Sequence, residues 1–204
     1  MRSASFDRLG GLCAILAGSA GFLYAVSFLI VARTSPDAGR LWSALFLMLG
    51  GLLSTGALTA VYERLRPVND PAALWALLLG IVGVMGAAIH GGYDLAAAAH
   101  PFVAASPDAP SQVDPRGLLT FGVTGVALMM FGRLITAGGV LPRGLGSLAV
   151  LQGALLVLLY LGRLIILAPT HPVIVIPAIV SGFLAGPAWY IWLGLVLRLS
   201  AKGE

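Results

Sequence analysis

Apolar runs of membrane-crossing length alternate with short polar breaks from one end of the chain to the other. A helix needs about 20 apolar residues to traverse the hydrocarbon core of a bilayer. Six segments meet that need: 9–32, 41–62, 72–90, 117–137, 145–168 and 172–199. The breaks between them carry the chemistry of helix ends. Asp70-Pro71 and Asp114-Pro115 each place a carboxylate at an N-cap ahead of a proline in the first turn. Ala168-Pro169 closes the fifth run, and Thr170-His171-Pro172 opens the sixth. Pro177 and Pro187 fall inside the sixth run, where each removes a backbone donor, so a kink is expected there. The first run exceeds the roughly 7–15 apolar residues of a signal-peptide core, and it reads as a retained helix.

One break is long. Residues 92–116 hold Tyr93-Asp94, an alanine tract, His100-Pro101 and a Ser/Pro/Asp-rich stretch, where about 2–8 residues is usual between packed helices. Basic residues set the orientation. With the N-terminus in the cytoplasm, Arg2, Arg8, Arg64, Arg66, Arg133, Arg143, Arg198 and Lys202 lie inside. Arg33, Arg40 and Arg116 lie outside, with Arg163 near the outer end of the fifth run. The inner excess predicts both termini in the cytoplasm and the 92–116 loop outside. The expected architecture is an all-α polytopic transmembrane helical bundle, a single domain of six spans over residues 1–204.

Composition narrows the function classes. Of 204 residues, 59% are hydrophobic and 10% charged, against about 25% charged in soluble domains. That excludes a soluble enzyme, a nucleic-acid binder and a disordered chain. The net charge of +4 is dispersed singly or in pairs between apolar runs, so it orients the chain and builds no nucleic-acid surface. Cys13 stands alone, which removes an intrachain disulfide and any cysteine-built metal cluster. Lys202, the sole lysine, lies in the tail and cannot carry a Schiff base within the bundle.

The stretch Gly138-Gly139-Val140-Leu141-Pro142-Arg143-Gly144-Leu145-Gly146 is the most distinctive motif. Together with Arg66-Pro67-Val68-Asn69 and the closing segment from Ile176-Pro177-Ala178 to Trp192-Leu193, it resembles a large bacterial family of multi-pass membrane proteins, a domain of unknown function. The resemblance implies a helical bundle in the bacterial plasma (inner) membrane. It brings over no catalytic or ligand-binding residue and no cofactor. Physically, Leu-Pro-Arg ends one helix and sets a charge at the interface while the glycines turn the chain.

Candidate chemistry gathers toward the outer face. His90 and Asp94, spaced i, i+4, share one side if the third helix continues past Gly91-Gly92. His171 opens the sixth run at a similar depth, so His90, Asp94 and His171 are candidate ligands for zinc, copper or iron, although interfacial His and Asp also serve as caps. Haem ligation is disfavoured, since no histidine lies near mid-membrane. Arg163 lies about 7.5 Å below the end of its run at helical rise. It either snorkels to the headgroups or pairs with Asp94 or an anionic ligand. The remaining polar residues are too sparse for a conduction path, and Gln152 is expected to bond to a neighbouring helix. Gly182, Gly186, Trp189 and Trp192 on the sixth run form a candidate packing or partner face.

Three functions are compatible with this pattern. The first is a non-catalytic accessory or scaffold component in the lipid bilayer, packing with other membrane subunits or as a homo-oligomer. The second is a small-molecule or lipid binder or transporter with an outer pocket around Arg163, Asp94, His90 and His171. The third is an outer-face metalloenzyme using His90, Asp94 and His171.

Overall fold

The computed structural model describes residues 4–99 and 113–201, with side chains from Phe6 onward. Arg2, His100, Lys202 and the middle of the expected long loop lie outside the described residues. Among the described residues every regular element is helical. Five helices are long and apolar enough to cross a membrane: α1 (Phe6–Thr34), α2 (Pro36–Ala99), α3 (Pro115–Gly138), α4 (Arg143–Ile165) and α5 (Pro172–Ser200).

The 64 residues of α2 do not form one rod. Asn69 leaves helical geometry (φ −161°, ψ 93°) and the chain doubles back on itself there. Gly51 then faces Val84 and Ala88, Gly80 faces Leu58, and Gly91 faces Ala44 and Met48, so arms 36–68 and 70–99 run antiparallel. The second and third apolar runs are thus the two arms of one hairpin. Its cap is not the expected Asp70. The Asn69 side-chain oxygen accepts the Ala72 backbone N–H at 3.2 Å, while Asp70 accepts the Tyr62 hydroxyl at 3.0 Å. Pro71 sits just inside the second arm, where its missing donor costs nothing.

The rods close into an antiparallel ring: α1, the two arms of α2, α3, α4, α5 and back to α1. Gly10 of α1 meets Gly56 and Ala60 of α2's first arm. Gly83 of the second arm meets Thr124 of α3, and Gly11 of α1 meets Gly194 of α5. The near end of the ring carries Arg8, the Asn69 turn, the 139–142 turn and Ala201. Its far end carries Ser35, Asp94, Asp114 and Arg163.

Small residues line the seams. A Cβ at Gly125 on α3 would sit 2.7 Å from the Gly153 carbonyl oxygen of α4, and one at Gly153 would strike the Gly125 carbonyl in turn. Backbones can approach this closely only without side chains, which in a membrane supplies packing that hydrophobic exclusion cannot. Large apolar residues point outward instead: Leu52, Trp75, Leu78, Ile89 and Leu184 are all near or above half exposed. Large apolar side chains on the outside, with backbones held close along small-residue seams, are the arrangement lipid demands and water penalises. At the near end, Asp7 of α1 and Arg64 of α2 form a buried ion pair, at 2.6 Å from Nη2 and 3.4 Å from Nε.

The helix ends differ from expectation where polarity and helix propensity disagree. Apolar character stops at Tyr62, yet the first arm runs to Val68, because Glu63, Arg64 and Arg66 are good helix formers with partners of their own. The second arm passes Gly91-Gly92 and Asp94 to Ala99, carried by Leu95 and the alanines, so residues 92–99 of the expected connection are helical. α4 stops at Ile165, short of Ala168, and Leu167 turns left-handed (φ 59°). The kink expected in α5 takes the form of a wide π-helical turn, Val180–Ala185, between Pro177 and Pro187. The wide turn makes room for the ring of Pro187, which would clash with the carbonyl of the preceding turn.

Candidate functional site

Three wide turns fall in the far half of the bundle: Ser27–Val31 on α1, Leu118–Val123 on α3 and Val180–Ala185 on α5. The near half is regular helix. Such turns are uncommon and recur at functional sites. The far end is also where the expected site residues lie.

His90 and Asp94 do come together. Because the helix continues through the glycine pair, His90 Nε2 and Asp94 Oδ2 stand 3.3 Å apart, with Asp94 half exposed. Arg163 falls in the last turn of α4, not a full turn or more below its end as expected, since α4 stops early. There the guanidinium complements the negative end of the helix dipole. It also lies over the Phe121 ring, 5.4 Å from its centroid, a cation–π arrangement. Tyr24, stacked on Phe28 of α1, lies within electrostatic range of both Arg163 and Asp94. Among the described residues no carboxylate stands within ion-pair distance of Arg163.

Phe121 is held in place from the start of α3. Asp114 is buried, and its two carboxylate oxygens accept the backbone N–H groups of Leu119 (2.8 Å) and Thr120 (3.0 Å). The expected N-cap is therefore present, but it reaches deeper than usual because the turn is wide. Arg116 (φ 58°) and Gly117 (φ 82°) bring the chain round, and a Cβ on Gly117 would collide with the Phe121 ring. This glycine is needed twice over, for its backbone angle and for the ring seated upon it.

His171 goes elsewhere. Its side chain is exposed and Nδ1 accepts the Val173 N–H at 3.3 Å, capping α5. Two of the three candidate metal ligands are thus paired and the third is spent on a helix end. Among the described residues no group of three His, Cys, Asp or Glu side chains is placed to hold a metal ion.

The candidate partner face is turned inward. Gly182 lies against Ala25, Gly186 against Gln152, and Trp189 is fully buried with its ring edge-on to Tyr190. Gly182 is half-buried, and Trp192 stays 38% exposed, packed over Gly144. These residues build seams within the chain. Gln152 bonds across to Ser181 of α5 at 2.7 Å, as a buried amide in a helix must.

Tyr24 and Phe121 belong to the site and were not legible as members of it. Both read as ordinary apolar residues of their runs, and only ring closure puts Phe121 under Arg163 and Tyr24 within its electrostatic range. No known protein family, characterised protein or solved structure matches the chain. The likeness in the loop motifs therefore stands on those motifs alone.

Proposed function

We propose that the chain is a six-crossing bacterial inner-membrane protein, with both termini cytoplasmic, that binds a small molecule bearing a carboxylate or phosphate at its far, outward-facing end. The hairpin at Asn69 supports two crossings for α2, since each arm is long enough to span at about 1.5 Å rise per residue. The excess of arginine at the near end supports a cytoplasmic placement of that end.

The observation that carries the binding reading is Arg163. It is a guanidinium with no carboxylate partner among the described residues, stacked on Phe121, at the same end of the bundle as the His90–Asp94 pair. Such a group supplies a planar set of donors for an anionic head, and the Phe121 ring beside it suits an apolar or aromatic body. Asp94 biases the site toward ligands that also carry a donor or a positive charge. A scaffold role has less support, because the small-residue faces that would serve it are occupied within the chain.

The test is thermal unfolding of the purified chain in neutral detergent with hexanoate, inorganic phosphate or, as neutral control, hexanol. The reading expects a carboxylate or phosphate to raise the midpoint in the wild type and not in Arg163→Leu, with hexanol inert in both. Equal shifts in wild type and variant would remove Arg163 from the site.

A further inference from the structure

The near end presents a different surface. Its acids among the described residues are engaged: Asp7 with Arg64, Glu63 with Arg66, and Asp70 with the Tyr62 hydroxyl. Arg8, Arg133, Arg143 and Arg198 are left with no carboxylate partner among the described residues. Two of these four share a groove. Between α1 and α5 a hollow of about 460 Å³ is lined by Arg8, Leu9, Leu12 and Arg198.

The fold holds the Arg8 guanidinium and the Arg198 stem there. Arg8 Nη2 donates to the Ala201 carbonyl at the end of α5, at 3.3 Å. The stem of Arg198 lies against Gly11, where a Cβ would come within 2.6 Å of its Cγ. The floor is apolar and open to the membrane side, with Leu9 55% and Leu12 43% exposed. Leu16, seven residues beyond Leu9, extends the same face of α1 away from the charges and toward the bilayer centre.

We infer that this groove is a binding site for an anionic glycerophospholipid. Arg8 and Arg198 clasp the headgroup phosphate, and an acyl chain lies along Leu9, Leu12 and Leu16. Charge complementarity carries the assignment: two arginines with no carboxylate partner among the described residues, at headgroup depth, over an apolar track that leads into the hydrocarbon. Basic pockets between transmembrane helices on the cytoplasmic side take anionic headgroups for this reason, and guanidinium matches phosphate geometry with paired donors. The second groove at this end, lined by Arg133, Thr136 and Ser147, is poorer, because it has one arginine and both hydroxyls donate to backbone carbonyls of their own helices. The inference rests on the membrane-crossing reading but not on the Arg163 site.

The experiment is native mass spectrometry of the full chain from micelles containing equal phosphatidylglycerol and phosphatidylcholine. At about 1 kcal/mol per arginine near the surface, retention should favour phosphatidylglycerol about 5-fold per residue and about 30-fold for both. Arg8→Gln/Arg198→Gln should abolish that preference, while Arg143→Gln should keep it. Equal retention of the two lipids by the wild type, or an unchanged preference in the double variant, overturns the site while leaving the membrane reading standing. Should the double variant fail to fold, photoreactive phosphatidylglycerol on the wild type replaces it. Labelling of the Leu9–Leu16 segment above that given by photoreactive phosphatidylcholine supports the site, and equal labelling overturns it. Release of the chain from membranes by alkaline carbonate overturns both the site and the membrane reading.

Discussion

Replacing Asp7 by Asn tests whether the near end of the bundle is packed as tightly as its geometry implies. Asp7 and Arg64 are 5% and 7% exposed, and two hydrogen bonds join them across the α1–α2 seam. Two unit charges about 4 Å apart interact by ~4 kcal/mol at an effective dielectric constant near 20. Removing one member of a buried pair strands the other, at a typical cost of about 3–5 kcal/mol. Asn keeps shape and one acceptor, so the expected loss is about 3 kcal/mol. Asp7→Leu/Arg64→Met removes both charges and should recover most of that loss, since a buried ion pair is often replaceable by apolar residues of similar volume. The assay is reversible unfolding in mixed micelles with increasing dodecyl sulfate, followed by tryptophan fluorescence, for the wild type, Asp7→Asn, the single variants Asp7→Leu and Arg64→Met, and the double variant. The account predicts a coupling energy of at least about 2 kcal/mol from the cycle. A cost below about 1 kcal/mol for Asp7→Asn, with additive single variants, would mean that water reaches the pair and that the burial argument is wrong.

Further expectations follow from the seams and the topology. Gly153→Leu places a side chain against the Gly125 carbonyl and Met129, and should cost about 2 kcal/mol or more or prevent folding. Gly21→Ala meets nothing within 4 Å and should be neutral or stabilise by up to about 1 kcal/mol in the same unfolding assay. In a Cys13→Ala background, Asp37→Cys at the far end should react with a membrane-impermeant maleimide from outside. Arg66→Cys, beside the Asn69 turn, should react only after the membrane is opened. Labelling of both from one side would contradict two crossings by α2.

The apolar runs located every rod in the bundle, since hydrophobic length is written residue by residue along the chain. Their ends were less legible. Hydropathy falls at Glu63 and again at Asp94, but the helices continue because neither residue breaks a helix and each side chain finds a partner one turn away. Asn69 rather than Asp70 caps the second arm, a difference of one residue that depends on where the turn places its oxygen. The pairing of His90 with Asp94 was legible as an i, i+4 spacing. The role of His171 was not, because histidine can cap a helix as readily as it can bind metal. Phe121 beneath Arg163, and Arg64 beside Asp7 57 positions away, carry no local signal at all. Such contacts exist only once the ring closes. The same holds for Gly182 and Gly186: a small-residue stripe shows that something packs closely, but not whether it is another part of the same chain.

The most direct test of the account is native mass spectrometry of the chain extracted gently from its own host membrane, comparing wild type with Arg163→Leu. The far-end site predicts a persistent small adduct on the wild type, of a mass consistent with a carboxylate or phosphate compound, that is absent from the variant. A wild-type mass without such an adduct, or an adduct that survives loss of the guanidinium, would contradict it. A mass that instead contains other defined subunits would return the chain to the role of a packing component.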